Sequence, residues 1–254
     1  MTLDVRTILL LMAFTAVPTA LVLLAISRFY ASRVPGVGYW TGANLALAIG
    51  LVILSLSKTA NDLPARVLGN TLLVLTTALY YLAIQRLLGD KPSKRLAIAT
   101  VAASGIVFAL LWASAAPYRL AVGALSIALM VLTGLCAARL LLPLTAEKPV
   151  SHRFTGLLFL LGCTLMTVRL GHAMFAVAPP ANLFAPDFWH GMILGGTHIT
   201  VILMSLGFAL MIADRLAAEL NRLATLDALT GKRLWQFAAP GSGRKFDSAR
   251  GTMA

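Results

Sequence analysis

The ionisable side chains of Arg169, His172 and His198 lie deep inside apolar stretches of the chain, where a charge usually has a functional reason. At about 1.5 Å of helix per residue, they lie roughly 13, 9 and 12 Å from the neighbouring ends of two adjacent stretches. Asn70, in an earlier stretch, falls in the same half of the membrane. Antiparallel helices would bring these four residues to matching depth. They predict an outward-facing sensory pocket for an unknown small anionic or polar ligand.

Two other interpretations fit the same residues. Histidines also bind metal ions or haem, although these histidines lack the spacing of a known ligand set. Alternatively, Arg169 and the histidines bond one another and backbone carbonyls within a bundle. His190 and Asp187 lie near the mouth of the predicted pocket. We assign no catalytic, cofactor-binding or metal-binding residue from the sequence.

The composition places these residues in a membrane protein. Of 254 residues, 59% are hydrophobic and 12% are charged, and the mean hydropathy is +0.86. Soluble domains are about 45–50% apolar and about 25% charged, so this chain is not an ordinary soluble, disordered or disulfide-rich protein. The net charge of +12 fits loops held against anionic lipid. No basic helix is interleaved with aromatic residues, so the expected partner is the lipid bilayer and not nucleic acid.

Seven apolar stretches have the length of membrane spans, and prolines mark the connections between them. Backbone groups find no partners in lipid, so these stretches must be helices. The sequence therefore predicts an all-α membrane protein, with a bundle of about seven transmembrane helices in residues 1–213. Small residues four apart, as in Gly42-Ala46-Gly50, Gly134-Ala138 and Gly191-Gly195, predict close helix packing within the bundle. The predicted spans are Thr7–Ser27, Val37–Ser57, Leu63–Ile84, Leu96–Ala113, Leu120–Leu142, Phe154–Val177 and Gly191–Ala213.

The distribution of Lys and Arg predicts an N-terminus outside and a C-terminus in the cytoplasm. The first stretch lacks a clear small-x-small cleavage site, so we expect it to stay as a span. With this orientation four basic residues lie outside: Arg6, Lys58, Arg66 and Arg119. Nine lie in the cytoplasmic connections: Arg28, Arg33, Arg86, Lys91, Lys94, Arg95, Arg139, Lys148 and Arg153.

After the last span, residues 214–231 predict a cytoplasmic signalling helix that leads into a further motif. Leu216, Leu220 and Leu223 follow Ala213 with the a/d spacing of a short coiled coil, although so short a stretch also fits a single amphipathic helix. The chain then reads Asp227-Ala228-Leu229-Thr230-Gly231. This run resembles the opening signature, Asp-x-Leu-Thr-Gly, of the GGDEF family of diguanylate cyclases.

The membrane half is similar to a multi-span input module often joined to such cyclases. The resemblance covers nearly the whole chain up to Gly231 and implies a bacterial inner-membrane location with dimeric signalling. In the intact family, GTP and magnesium are bound by the cyclase domain; we expect neither in this chain. The positions that carry the membrane part are Tyr39-Trp40, Asn44, Gly50, Asn70 and Arg86-Leu87-Leu88-Gly89.

The resemblance stops after Gly231. The family continues Leu-x-Asn-Arg-Arg, whereas this chain reads Lys232-Arg233-Leu234-Trp235-Gln236 and has no Gly-Gly-Asp/Glu-Glu-Phe turn. Such an abrupt departure is typical of a frameshift or a truncated gene. Residues 232–254 are basic and turn-rich, which predicts a disordered tail. Metal-assisted phosphoryl transfer needs carboxylates to hold the ions, so we expect no catalysis from this chain.

These patterns predict a membrane sensory module of a GGDEF-family cyclic di-GMP signalling protein. The alternative is a small multi-span transporter or channel, with a polar path at Arg169, His172 and His198.

Overall fold

The structure, a computed structural model, consists of helices wherever it describes the chain. It describes residues 5–30, 34–57, 62–142, 148–176, 183–184 and 188–224. The described helices are α1 Val5–Tyr30, α2 Val37–Leu56, α3 Leu63–Leu87, α4 Lys94–Ala113, α5 Tyr118–Leu141, α6 Val150–Phe175 and α7 Phe188–Ala224. All seven are long and apolar enough to cross a membrane, which confirms the predicted all-α architecture with seven membrane-spanning helices.

The chain divides into two compact units, Met1–Asp214 and Arg215–Ala254. The first unit contains the helices α1 to α6 and most of α7. In the second unit the described residues are helical as far as Ala224. The predicted motif at Asp227, Leu229, Thr230 and Gly231 lies outside the described residues, as does the predicted tail at 232–254.

The outer surface of the first unit is apolar, as expected for helices that face lipid. Phe14, Ile98 and Phe175 are 74%, 69% and 87% exposed. In α4 the buried side chains are only those of Ala97 and Phe108. A soluble protein would rarely expose such a continuous apolar area. The pattern therefore supports a multi-pass membrane protein, with α4 at the edge of the bundle.

Glycines let two pairs of helices come into close contact. A Cβ atom on Gly50 of α2 would lie 3.2 Å from the carbonyl oxygen of Gly69 on α3. A Cβ atom on Gly207 of α7 would overlap the hydroxyl of Thr155 on α6. The predicted close packing is therefore present at Gly50. It is absent at Gly191 and Gly195, where nothing lies within 4 Å of a Cβ position. A Cβ atom on Gly42 or Gly134 would meet a neighbouring side chain at an ordinary distance of 3.7 Å.

An aromatic cluster joins four helices at the centre of the bundle. It consists of Trp40 on α2, Tyr80 on α3, Phe159 on α6 and Phe208 on α7. Trp40 stacks on Phe208 with ring centroids 3.9 Å apart and lies 4.3 Å from the ring of Tyr80. Its indole Nε1 donates a hydrogen bond to Ser205 Oγ at 3.4 Å. Trp40 is completely buried, so the cluster fixes the spacing of α2 and α7.

Asn44 completes this centre. Its Nδ2 donates to the carbonyl oxygen of Trp40 at 3.0 Å, and its Oδ1 accepts from the Tyr80 hydroxyl at 3.4 Å. Polar side chains in a lipid-embedded bundle need such partners, because no water is available to replace them. Trp40 and Asn44, two positions of the predicted resemblance, are therefore buried packing residues.

The run Arg86-Leu87-Leu88-Gly89 forms the C-terminal end of α3. Gly89 has a φ of +87°, which a residue with a side chain rarely adopts. This conformation lets the amide of Asp90 donate to the carbonyl oxygen of Gln85 at 2.8 Å. Helices commonly end in this way with glycine.

We expect Gly207→Ala to destabilise the bundle, because the new methyl group would push Thr155 and α6 away from α7. The expected cost is about 1–3 kcal/mol of unfolding free energy. Thermal unfolding in detergent, followed by the reaction of buried Cys136 with a thiol dye, measures it. The matched control is Gly195→Ala on the same helix, which we expect to have no cost. Equal stability of the two variants would contradict the close approach of α6 and α7.

Candidate ligand-binding cavity

A cavity of about 170 Å³ lies within the first unit and is lined by residues of all seven helices. Its volume is similar to that of an engineered protein cavity of about 150 Å³ that binds benzene. The lining begins where α3 and α5 begin and α4 ends. It reaches the middle of the bundle at Tyr80, Phe159 and Met204. Such a space accommodates a small ligand.

One end of the cavity is polar; we call it the arginine end. It is formed by Arg66 and Asn70 of α3, Tyr118 of α5 and Arg169 of α6. The guanidinium carbon of Arg66 lies 5.3 Å from the ring centroid of Tyr118. The Tyr118 hydroxyl is a hydrogen-bonding partner of Arg169. The tyrosine therefore lies between two positive charges.

Within the described part of the chain, neither arginine has an acidic side chain beside it, and the lining residues there include no Asp or Glu. The ion pair in that part is Arg139 with Asp90, 3.4 Å apart and exposed. Arg169 is 8% exposed, and its Nε has no hydrogen-bond partner. Nη2 of Arg66 is likewise buried without a partner. Buried charged groups are normally paired, so this end is suited to an anion.

The remainder of the cavity is apolar. Threonines do contribute to its walls, but their hydroxyls bond to their own helices. Thr133 Oγ1 donates to the carbonyl oxygen of Leu129 and Thr200 Oγ1 to that of Gly196, both at 2.7 Å. Because these donors are satisfied locally, the walls present mostly carbon to a ligand. Tyr80 and Phe159 of the aromatic cluster also line this apolar part of the cavity.

The structure brings together two of the four residues predicted to form a pocket. Arg169 and Asn70 line the same cavity. His198 lines a second, much smaller space of about 10 Å³, together with Asn44 and Ser205. His172 is half-buried and lines neither of these two cavities.

Of the two residues predicted to lie near the mouth of the pocket, the structure describes one. His190 is 2% exposed, and Asp187 lies outside the described residues. Within the described ranges, no three His, Cys, Asp or Glu residues meet as metal ligands.

The sequence-based prediction missed Arg66 and Tyr118. Both lie at helix ends, and Arg66 was counted with the connections. The available signal was the spacing of Arg66 and Asn70, because residues four apart share one face of a helix. An arginine one turn inside a span, followed by an amide one turn later, indicates a polar face.

Comparison with family models, with curated proteins and with solved structures finds no match for this chain. The resemblance to the GGDEF family therefore depends on the residues quoted above.

We expect Arg169→Met to raise the stability of the protein without ligand. The substitution removes a desolvated charge, keeps most of the side-chain volume and leaves no unpaired carboxylate behind among the described residues. Replacing whole buried ion pairs by apolar side chains of similar volume is neutral or stabilising by about 1–4 kcal/mol, and we expect the same direction here. Thermal unfolding in nanodiscs measures the change. Arg119→Met is the control, since Arg119 is exposed at the same helix end as Tyr118. A large loss of stability in Arg169→Met alone would instead support the structural interpretation of Arg169.

Proposed function

We propose that this chain is a membrane sensory module that binds a small ligand in the cavity and signals through α7 to a GGDEF-like output. The observation that carries the proposal is the buried charge of Arg169, which has no acidic partner among the described residues, at one end of a largely apolar cavity. A buried charge without an acidic partner lowers stability, so its presence favours a ligand-binding role. Ionisable residues within membrane spans typically serve function.

The helix α7 supports the signalling part of the proposal. Its residues Leu194, Thr197 and Met204 line the cavity, and the same helix includes Leu216 and Leu220 of the predicted linker. It has 37 residues, whereas about 20 helical residues are enough to cross a bilayer core. Movement of one helix can therefore report occupancy beyond the membrane core.

Contacts along α7 offer a route for this movement. A Cβ on Gly162 of α6 would lie 2.8 Å from Cε of Met204 at the cavity floor. One turn further, Phe208 stacks on Trp40. Near the end of the first unit, Ser151 Oγ donates to Asp214 Oδ2 at 2.5 Å. Small shifts of packed helices, of about 1–2 Å, are a common way to transmit a signal.

The alternative, a transporter or channel, needs one polar path through Arg169, His172 and His198. The cavity contains Arg169 but neither histidine. This arrangement favours a binding site over a transport path.

A chimera tests the proposal. Residues 1–231 are fused to an intact GGDEF domain and expressed in cells that lack other diguanylate cyclases. We expect Arg169→Gln and Phe208→Ala to change cellular cyclic di-GMP several-fold, because they alter the cavity and the contact of α7 with α2. The matched controls are Arg119→Gln and Phe175→Ala, whose side chains are exposed.

The same cyclic di-GMP level in all five chimeras would overturn the sensory proposal. The unfused chain, incubated with GTP and magnesium, is expected to form no cyclic di-GMP above a protein-free blank.

Dimerisation through the linker helix predicts a specific cross-link. In a background without Cys136 and Cys163, we expect Leu220→Cys to form a disulfide-linked dimer under mild oxidation in membranes. Leu220 is 62% exposed in the monomer and occupies a seam position of the predicted coiled coil. Ala218→Cys, on the opposite face of the heptad, should remain monomeric. Equal cross-linking at both positions would argue against a coiled-coil seam.

A further inference from the structure

The polar atoms at the arginine end point to the head group of the ligand. Nε of Arg169 and Nη2 of Arg66 are buried donors without partners. Tyr118 and Asn70 add a hydroxyl and an amide to the same end. Guanidinium groups match the planar geometry of a carboxylate and bind it with charge-assisted hydrogen bonds. No acidic side chain among the described lining residues competes for these donors.

The shape of the cavity points to the rest of the ligand. On α3 the lining runs from Asn70 to Tyr80, a distance of about 15 Å along the helix. Beyond Asn70 the walls are formed by apolar side chains such as Leu125, Leu129 and Met204. A ligand that fills this space has one charged end and an elongated apolar body.

The volume limits that body to a single chain. About 170 Å³ leaves no room for the two acyl chains of a phospholipid. A free acetate or phosphate ion would leave the apolar part unfilled. The ligand is therefore larger than a simple anion and smaller than a membrane lipid.

We propose that the cavity binds a single-chain carboxylate of medium length, such as octanoate or decanoate. The carboxylate binds beside Tyr118, to Nη2 of Arg66 and Nε of Arg169, and the chain extends toward Tyr80 and Phe159. The identification of this molecule as a signal rests on the proposed sensory function, whereas its binding does not.

Binding of radiolabelled decanoate to the full chain in nanodiscs tests the head group. We expect saturable binding that unlabelled decanoate competes, and that decanol, decylamine, acetate and added phosphatidic acid do not. Arg169→Gln and Arg66→Gln should each weaken binding by about 10- to 100-fold, the usual effect of losing a hydrogen bond to a charged group. Arg119→Gln should bind as the wild type does.

A second pair of variants tests the apolar end. Leucine at Gly162 would reach toward Met204, Thr133 and Thr200 and fill the deep part of the cavity. We therefore expect Gly162→Leu to lose affinity for decanoate while it keeps affinity for hexanoate. Gly171→Leu is the control on the same helix, because nothing lies within 4 Å of its Cβ position.

Competition by decanol or decylamine equal to that by decanoate would overturn the proposal, since it would indicate partitioning into lipid. Competition by acetate or phosphatidic acid, or an equal effect of Arg119→Gln, would also overturn it. If an arginine variant fails to fold, the competition series with the wild-type protein and the Gly162→Leu variant still test the proposed ligand. Decanoate binding without any change in the chimera's output would refute the sensory function alone, whereas a responsive chimera without decanoate binding would refute the ligand alone.

Discussion

Two guanidinium groups at one end of a cavity, inside a largely apolar bundle, impose the main constraint on this structure. Charge in a membrane-embedded site is costly unless a partner or water compensates it. Here Tyr118 supplies part of the compensation. Its ring faces the guanidinium of Arg66, and its hydroxyl is a hydrogen-bonding partner of Arg169. Each of these three residues comes from a different helix. The packing of α3, α5 and α6 must therefore hold the arginine end open against the tendency of an apolar bundle to collapse.

The aromatic cluster helps to keep the cavity open from the side opposite the arginine end. Tyr80 and Phe159 form part of its wall, while Trp40 and Phe208 lie behind them, with their rings 3.9 Å apart. Large, fully buried rings have few alternative arrangements, so they resist collapse and respond to displacement as a unit. The same feature that keeps the cavity open therefore also connects its floor to α7. Binding and signalling would share one set of contacts.

Hydropathy and proline positions were enough to predict the number and approximate bounds of the helices. The prediction Val37–Ser57, for example, compares with α2 at Val37–Leu56. The site was predictable only in part. Counting residues gives depth along a helix, which placed Arg169 and Asn70 together, but it gives no rotation about the axis. For that reason His198, one residue beyond the lining residue Thr197, lines a different space. Tyr118 was missed because a residue at the first turn of a span looks like part of a connection.

The most direct measurement is a structure of the protein with decanoate that carries bromine on its terminal carbon, determined from anomalous scattering. We expect a bromine peak among Gly162, Thr200 and Met204, with the carboxylate beside Arg66 and Arg169 at the other end of the cavity. Bromine only on the lipid-facing surface, or a carboxylate directed toward the aromatic cluster, would refute this binding mode.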